Sequence, residues 1–487
     1  MAGIAGAFAN NPPKETVERM LRAIEHRGPD VLRTYHDRQL CAGVRSAALS
    51  PARGDGFARD GNATVFLDGE IYNDRGSGAS DAEVVLDLYA RHGSLFAAHA
   101  DGVFACAVYD GNDLILTRDP LGVRPLYWGT RQDGGVCFAS ELKALVGVVD
   151  DVHELRPSTA YSVRRGVFAY LRRYRQVAVP ARFDEAAGQV RRLLTDAVAR
   201  RLADRAVGAC LLSGGLDSSI ITALAHDVDP ELPAVTVGIE GAPDLDNAQI
   251  LAKHLGIRHH VHICNDQEIA RIVPRAVWTL ESFDEDCVSG AIANLFASAA
   301  ARELTNCILS GEGGDELFGG YHLLKDLPAE SDRLVMMQRL IEIAYNTALQ
   351  RLDRAMMGNS INYRTPFLDT RVIALALQLP VRWKIHDAGG SRLIEKYILR
   401  EAFRDILPKP IYERQKLRFS AGTGTDDHMD AVAKGKLPEG AFNEASRHTP
   451  GGYRLHSPKE LWYYRLFKER FPDLAFEKLV GRWDPGK

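Results

Sequence analysis

The stretch from Leu211 to Ser219, LLSGGLDSS, constrains the fold of this chain more than any other. An apolar run at 206–212 leads into it and predicts a buried strand, and residues 218–225 have the composition and length of a helix. The two glycines allow a tight turn, and the serine hydroxyls add donors to the free N–H groups at the start of the helix. We therefore predict a phosphate-binding loop at the carboxyl end of a strand.

An acidic residue inside this loop, Asp217, indicates that a phosphate site here also binds a divalent cation. A carboxylate suits an anion site only when a divalent cation bridges carboxylate and phosphate, and no Gly-Lys-Ser/Thr sequence of the Walker type follows. The alternative is a Ser/Gly-rich turn without a ligand. The strand–loop–helix context favours the ligand site.

Length and composition indicate a globular protein of two domains that acts on small molecules. A chain of 487 residues exceeds one ordinary core. The formal net charge of −4, from 60 Lys and Arg against 64 Asp and Glu, provides no basic face for nucleic acid or anionic lipid. The seven cysteines are scattered without a C-x-x-C pair, and the first residues lack a secretory signal. We therefore expect reduced thiols, a cytoplasmic location and no membrane partner.

Strand and helix patterns divide the chain into two parts, at 1–180 and 181–487. The first part is typical of an α+β domain, with short strands and turns and with helices at 13–24 and 81–89. From residue 184 onward apolar periodicity predicts a helix, and strands then alternate with helices. Such alternation predicts an α/β domain with a mostly parallel sheet and a ligand at the carboxyl ends of its strands.

Several short motifs link the first part to a known family. The motifs are MAGIAG at 1–6, HRGPD at 26–30, DGEIYN at 68–73, DGVFA at 101–105, RDPLG at 118–122 and FASELK at 138–143. In order and spacing they resemble the glutaminase domain of glutamine-hydrolysing asparagine synthetases, and the loop at 211–219 resembles the pyrophosphate loop of the ATP pyrophosphatase superfamily. The resemblance implies an Ntn-type sandwich domain followed by an ATP-pyrophosphatase synthetase domain, and a homodimer.

The residues that perform the glutaminase chemistry of that family are replaced in this chain. The family's amino-terminal Cys nucleophile corresponds to Ala2, and its Asn oxyanion donor corresponds to Asp68, whose carboxylate would repel an oxyanion. Arg45 and Asp81 match positions that bind glutamine, but the segment between Asn73 and Asp81 is shorter than in the family. We therefore predict that this domain is an inactive, retained scaffold.

A substitute nucleophile is the alternative for this domain. Cys41 and Cys106 are the candidates. Cysteine reactivity depends on neighbouring cationic or basic groups, and the sequence supplies none near either residue. The scaffold interpretation is therefore preferred.

A second acidic loop, from Ser310 to Tyr321, follows a short apolar strand. It contains several glycines and three carboxylates within five residues, and so much negative charge beside a triphosphate requires Mg²⁺. The resemblance implies that Asp217 and Asp315 hold Mg²⁺ with the pyrophosphate oxygens, and that Glu312 accepts a proton from the attacking amine. A surface acidic turn is the alternative.

A basic segment, RQK at 414–416, is the third element of the predicted site. The resemblance places Lys416 at the α-phosphate, where it would neutralise developing charge, and the alternative is a solvated basic face. The same resemblance assigns the nucleotide to Leu212, Ser213, Gly214, Gly215, Asp217, Ser218, Ser219, Val237, Gly238 and Gly311.

Departures from the family lie where its aspartate should bind. After ESFD at 281–284 the family carries an Arg that corresponds here to Ser289, and Asp286 adds a negative charge. The family's Glu-Ala-Arg corresponds to NYR at 362–364. Losing a cation and gaining an anion makes the pocket less suited to free aspartate. We expect a carboxylate that bears a basic or uncharged group.

These features together predict an ATP-dependent amide synthetase that forms AMP and pyrophosphate. A small-molecule carboxylate is adenylated with ATP and Mg²⁺, and ammonia or a substrate amine then displaces AMP without glutamine hydrolysis. One alternative is intramolecular closure as in β-lactam synthetases, although those enzymes carry Tyr where Glu312 stands. The other is a non-catalytic nucleotide-binding scaffold, against which the intact synthetase motifs argue.

Overall fold

Two antiparallel sheets of six strands form the first part of the chain. The computed structural model describes residues 2–47, 53–74, 78–170, 177–389, 392–417 and 422–483. Sheet A contains, in spatial order, His153–Glu154, Tyr127–Thr130, Val136–Ala139, Ala2–Phe8, Leu40–Ser46 and Val31–His36. Sheet B contains Gly166–Ala169, Thr159–Ser162, Leu114–Arg118, Gly102–Tyr109, Ala63–Ile71 and Phe57–Asp60.

The two sheets pack face to face and are covered by one helix each. Apolar side chains of both sheets, such as Ile4 and Phe66, form the core between them. Helix Lys14–Ala23 packs on sheet A, and helix Asp81–His92 packs on sheet B. The result is a four-layer sandwich, and both predicted helices of this part are confirmed.

A parallel sheet, sheet C, organises the second part. In spatial order its strands are His259–Ile263, Ala234–Gly238, Ala209–Leu211, Cys307–Leu309 and Asn362–Arg364, and all pairings are parallel. The central strand is shorter than the predicted 206–212, although the backbone N–H groups of Gly208 and Leu212 still donate to neighbouring strands at 2.9 Å. The predicted parallel α/β architecture is confirmed.

Helices surround sheet C and connect its strands. They are Phe183–Leu202, Leu216–Val228, Pro243–Leu255, Asp266–Leu280, Glu285–Arg302, Gly314–Phe318, Glu330–Ile343, Ala348–Met357, Thr370–Gln378, Val381–Lys384, Tyr397–Ala402, Lys409–Tyr412, Thr425–Lys436, Pro458–Arg470 and Leu474–Glu477. A two-stranded ribbon pairs His386–Asp387 with Leu393–Ile394. Leu216–Val228 and Glu285–Arg302 pack directly on sheet C and belong to two separate hydrophobic cores.

The division of the chain near residue 180 remains a prediction. Val103 and Val123 of the first part already join the hydrophobic core around sheet C, to which helix Phe183–Leu202 also belongs, and residues 171–176 lie outside the described ranges. Within those ranges, no helix combines the length and apolar character needed to cross a membrane.

Candidate active site

A cavity of about 260 Å³ opens at the carboxyl ends of three neighbouring strands of sheet C. These strands are Ala209–Leu211, Ala234–Gly238 and Cys307–Leu309, and the loops that follow them line the cavity. The position agrees with the general rule for ligands of open parallel sheets. Both loops singled out from the sequence therefore meet in one place.

The first loop is held in shape by its own hydroxyl groups. Ser218 Oγ accepts from the backbone N–H of Ser213 at 3.1 Å, donates to the Gly215 carbonyl at 3.1 Å and lies 3.0 Å from Ser213 Oγ. Gly215 precedes helix Leu216–Val228, whose first turn leaves backbone N–H groups without intrahelical acceptors. A loop of this form presents donors to an anion in the cavity.

Glycines let the second loop approach the first. A Cβ atom on Gly311 would lie 2.7 Å from the Ser218 nitrogen, and one on Gly314 would lie 2.5 Å from the Asp217 Cγ. Gly313 has φ of +98°, a conformation that side chains disfavour. Larger residues here would push the acidic second loop away from Asp217.

Two lysines join the carboxylates of the two loops. Lys396 Nζ forms an ion pair with Asp217 and lies 2.5 Å from Asp315 Oδ1, and Lys416 Nζ lies 2.7 Å from Asp315 Oδ2. These cations hold the pKa of Asp315 well below its usual value despite burial. Burial raises the pKa of Asp217, and Lys396 only partly opposes it.

Lys396 was not assigned a role from the sequence. Its side chain is 2% exposed, and its backbone has φ of +53°. A left-handed conformation costs a non-glycine residue about 1–3 kcal/mol and is found where the surrounding structure imposes it, often at functional sites. The sequence around Lys396 contains no signal of this backbone state. The contacts of Lys396 with the site therefore became evident only from the structure.

Glu312 faces a cation in the same cavity. Arg351 Nη2 lies 3.2 Å from Glu312 Oε1, and both residues line the cavity. Burial raises the pKa of Glu312, the charge of Arg351 opposes this, and Asp315 adds to the rise. A carboxylate with a raised pKa is a better proton acceptor near neutral pH.

A third carboxylate lies behind this pair. Glu316 accepts a hydrogen bond of 2.5 Å from the hydroxyl of Tyr321, which lines the cavity. Burial, followed by the negative charges of Glu312 and Asp315, raises the pKa of Glu316 to about 7. The acidic loop therefore holds carboxylates of different basicity within a few residues.

The polar atoms of the cavity fit a nucleotide with Mg²⁺. Asp217 Oδ1 is buried and accepts no hydrogen bond within the described part of the chain, which suits a cation ligand. The described residues contain no group of three or more His, Cys, Asp or Glu side chains arranged for a metal. A divalent ion would therefore need oxygen ligands from a bound phosphate in addition to Asp217 and Asp315.

Family models match both parts of the chain. One described as asparagine synthase matches residues 189–345 and 327–473, and one described as a glutamine amidotransferase domain matches residues 1–163. Asparagine synthetases [glutamine-hydrolyzing] 2 and 3 of Arabidopsis thaliana are 31% and 32% identical over 98% of this chain and 88% of their own length. That of Zea mays is 30% identical over 97% of this chain and 86% of its own. The chain belongs to the asparagine synthase family.

This family assignment confirms the enzyme class expected from the sequence, an ATP-dependent carbon–nitrogen ligase. Among solved structures, a glutamine PRPP amidotransferase from B. subtilis covers 53% of this chain and 65% of its own, at 17% identity and a TM-score of 0.30. An NMN synthetase from Francisella tularensis covers 60% of this chain and 94% of its own, at 14% identity and a TM-score of 0.28.

Most of the site residues predicted from the asparagine synthase motifs line the cavity. They are Leu212, Ser213, Gly215, Asp217, Ser218, Val237, Gly311, Glu312, Asp315 and Lys416. Three others lie behind the lining: Gly214 packs against Asp244 and Ala248, Gly238 packs against Leu245, and Ser219 is fully buried. The roles assigned to all of them remain predictions.

Two arginines that were given no role from the sequence also shape this asparagine synthase site. Arg414 pairs with Asp244 and donates to the Gly214 carbonyl at 2.8 Å, which ties the basic segment to the phosphate loop. Arg351 comes from helix Ala348–Met357, about forty residues after Glu312 in the chain. Neither arginine belongs to a motif whose spacing predicts a partner.

The position of the family's glutaminase centre contains a buried ion pair. Ala2 is 1% exposed, and Asp68 Oδ2 accepts from Arg27 Nη2 at 2.9 Å and from Ser140 Oγ at 3.0 Å. The charge that would repel an oxyanion is thus engaged by a cation. Arg45, a predicted glutamine ligand, pairs with Glu25 at 2.8 Å.

The second predicted glutamine ligand and the candidate cysteines are also engaged or buried. Asp81 lies 3.4 Å from Arg53 Nη1. Burial raises the pKa of the Cys41 and Cys106 thiols, which disfavours the reactive thiolate. Residues 75–77, in the shortened segment before Asp81, lie outside the described ranges.

Proposed function

We propose that this protein is an AMP-forming amide synthetase that uses ATP and Mg²⁺ and does not hydrolyse glutamine. The observation that carries the proposal is the convergence of Asp217, Asp315, Lys416 and Glu312 on one cavity at the carboxyl edge of sheet C. The first three suit binding and charge neutralisation of a triphosphate, and the fourth suits proton transfer. The family's two half-reactions therefore have separate residues in this chain.

In the first half-reaction the substrate carboxylate attacks the α-phosphorus of ATP, and pyrophosphate leaves. The loop at 213–218 supplies hydroxyl and N–H donors to the departing pyrophosphate, and Asp217 and Asp315 would hold Mg²⁺, which would neutralise phosphate charge. Lys416 lines the cavity beside its partner Asp315 and would exchange this carboxylate for the α-phosphate.

In the second half-reaction an amine attacks the acyl carbon, and AMP leaves with the electrons of the acyl–oxygen bond. Glu312 accepts the proton that the attacking nitrogen loses. Burial raises the pKa of this carboxylate, which favours proton acceptance, and Arg351 pairs with it.

The charge balance of the cavity argues against free aspartate as the carboxylate. Among the described residues, every Lys and Arg side chain of the lining already has an acidic partner: Arg351, Lys396, Arg400, Arg414 and Lys416. Ser289, at the position of the family's Arg, is 1% exposed and lies outside the lining, whereas Asp286 lines it. A second carboxylate on the substrate would find no spare cation, so we propose a substrate with a neutral or basic remainder.

Carboxylate-dependent exchange of pyrophosphate into ATP tests the first half-reaction. A panel of acidic, neutral and basic amino acids and their derivatives should give exchange with a neutral or basic member, and AMP rather than ADP should accumulate when ammonia or an amine is added. Product mass then separates the alternatives, because substrate minus water with no added amine indicates cyclisation. ADP formation, or exchange with aspartate alone, would contradict the proposal.

A further inference from the structure

Helix Ala348–Met357 lies between the cavity and the amino-terminal domain. Ala348, Arg351 and Leu352 line the cavity, whereas Asp353 contacts the amino-terminal domain. Residues two apart on a helix point in different directions. Arg351 therefore faces the cavity, and Asp353 faces the amino-terminal domain from the same helix. A displacement of Asp353 would therefore displace Arg351 from Glu312.

Asp353 is the acceptor at the centre of a fully buried group of donors. Arg27 of the amino-terminal domain binds it with both terminal nitrogens, at 2.7 and 3.2 Å. Arg124 Nη1 donates at 2.9 Å and the Tyr363 hydroxyl at 3.0 Å. The side chains of Arg27, Arg124 and Asp353 are all 0% exposed.

Arg354, the next residue on the helix, extends the contact between the helix and the amino-terminal domain towards a second wall of the cavity. Arg354 donates to the Ser140 carbonyl at 3.0 Å and lies 2.8 Å from Glu281 Oε2. Glu281 has φ of +59° and accepts from the backbone N–H groups of Leu142 and Lys143 at 2.9 and 2.7 Å. The amino-terminal domain thereby holds Glu281, four residues before the helix that forms the second wall.

That second wall is helix Glu285–Arg302, which carries Asp286 and Gly290 into the cavity lining. The two helices pack closely, because a Cβ atom on Gly290 would lie 2.7 Å from the Arg351 Cδ. The same buried group of ion pairs thus fixes both of these cavity-lining helices.

The charges of this buried group are balanced, and Asp68 contributes to the balance. The cations are Arg27, Arg124, Lys143 and Arg354, and the anions are Asp68, Glu141, Glu281 and Asp353. Removing one partner of a buried pair is strongly unfavourable, whereas the intact group adds more to a unique geometry than to stability. Such a group is suited to positioning.

We infer that Asp353 is a positioning residue for amide formation, through which Arg27 and Arg124 of the amino-terminal domain keep Arg351 beside Glu312. The inference rests on the proposed function, because Glu312 acts there as the proton acceptor. The amino-terminal domain then acts in catalysis as a fixed support of the synthetase cavity.

The test uses the full chain and compares both half-reactions in Asp353→Asn, which preserves shape and removes the charge. We expect pyrophosphate exchange within about threefold of wild type and single-turnover amide formation slowed between about 10- and 100-fold, the scale of a misplaced catalytic group. The acid limb of amide formation should move to higher pH, because Arg351 no longer lowers the pKa of Glu312.

A double-mutant cycle separates positioning from a general loss of structure. Asp353→Asn in an Arg351→Gln background should slow amide formation no further, since the effect passes through Arg351. Asp204→Asn is the matched control, because Asp204 also pairs with an amino-terminal residue, Arg53 at 2.8 Å, but lies on no wall of the cavity. Equal loss of both half-reactions in Asp353→Asn, or additive effects with Arg351→Gln, would overturn the inference.

Two further measurements keep the inference testable. If Asp353→Asn does not fold, Arg124→Lys keeps the charge and loses the bond to Asn362, and it should show the same selective effect in weaker form. Amide hydrogen exchange should rise in residues 285–302 and 348–357 of Asp353→Asn and stay unchanged there in Asp204→Asn. Absence of pyrophosphate exchange in the wild type would refute the proposed function, whereas unchanged hydrogen exchange in Asp353→Asn would refute the positioning.

Discussion

Arg351 Nη2 lies 3.2 Å from Glu312 Oε1, and both residues line the cavity that the phosphate loop also lines. In the proposed assignment Asp217, Asp315 and two lysines serve the nucleotide, and Glu312 serves the acyl group. Separate groups for separate half-reactions make the assignment of Glu312 open to a simple kinetic experiment.

Glu312→Gln should leave adenylation largely intact and slow amide formation by roughly 10²–10⁴-fold, the usual size of general-base catalysis. Acyl-adenylate should then accumulate in single-turnover assays. Glu303→Gln, on the exposed end of helix Glu285–Arg302, is the matched control and should behave as wild type. Parallel loss of both half-reactions would place Glu312 in the metal or phosphate site.

Lys416→Ala should depress adenylation itself, because Lys416 is the cation proposed for the α-phosphate. We expect pyrophosphate exchange to fall by roughly 10²–10³-fold, the scale for losing one preorganised electrostatic contact. Lys396→Ala should also reduce exchange, since it removes the cation that pairs with both Asp217 and Asp315 and leaves Asp217 without its ion-pair partner. The control is Lys409→Ala, whose side chain is 72% exposed. A normal exchange rate would remove the substituted lysine from the site.

The sequence predicted the two loops of the site because each combines glycines, an apolar strand and a change of period within a few residues. Local patterns of this kind predict local structure, and both loops line the cavity as expected. The strand before the first loop is shorter than predicted: it spans Ala209–Leu211, and Gly208 and Leu212 on either side each donate one backbone hydrogen bond to a neighbouring strand.

The sequence did not predict the pairing of charges. Lys396, whose backbone has φ of +53°, pairs with Asp217 and Asp315, and its residue type signals neither the backbone state nor the partners. Asp68 was interpreted as a repulsive charge, and the structure shows it bound to Arg27. Partners far apart in the chain are brought together by tertiary packing, and a single sequence carries no record of that pairing.

Asp204 offers a test of acid stability. It joins Arg53 of the amino-terminal domain to Arg364 of sheet C, at 2.8 and 2.7 Å. Although burial raises it, the bonds and charge from Arg364 and then Arg53 lower the pKa of Asp204 to about 2. Because this lies below the unfolded value of about 3.9, the stabilisation is complete above pH 4 and is lost as the pH falls towards 2.

Asp204→Asn should therefore reduce the free energy of unfolding at pH 7 by roughly 2 kcal/mol, and the difference from wild type should shrink between pH 4 and pH 2. Urea denaturation over this pH range measures both quantities. Asp150→Asn replaces an exposed aspartate and should show neither effect. A difference that does not change with pH would mean that Asp204 stabilises by shape rather than by charge.

Restoring the family's nucleophile should not restore glutaminase activity. Ala2→Cys with removal of Met1 still leaves the negative charge of Asp68 where the oxyanion forms, and losing one oxyanion donor alone costs roughly 10²–10³-fold. Adding Asp68→Asn should recover little, because it removes an anion from the balanced buried group and leaves Arg27 with one partner fewer. Arg45 also remains paired with Glu25.

The measurement is glutamate release from glutamine by the wild type, the single variant and the double variant. Substantial release by the single variant would show that the glutamine pocket is intact, and release by the wild type would refute the scaffold role of the domain.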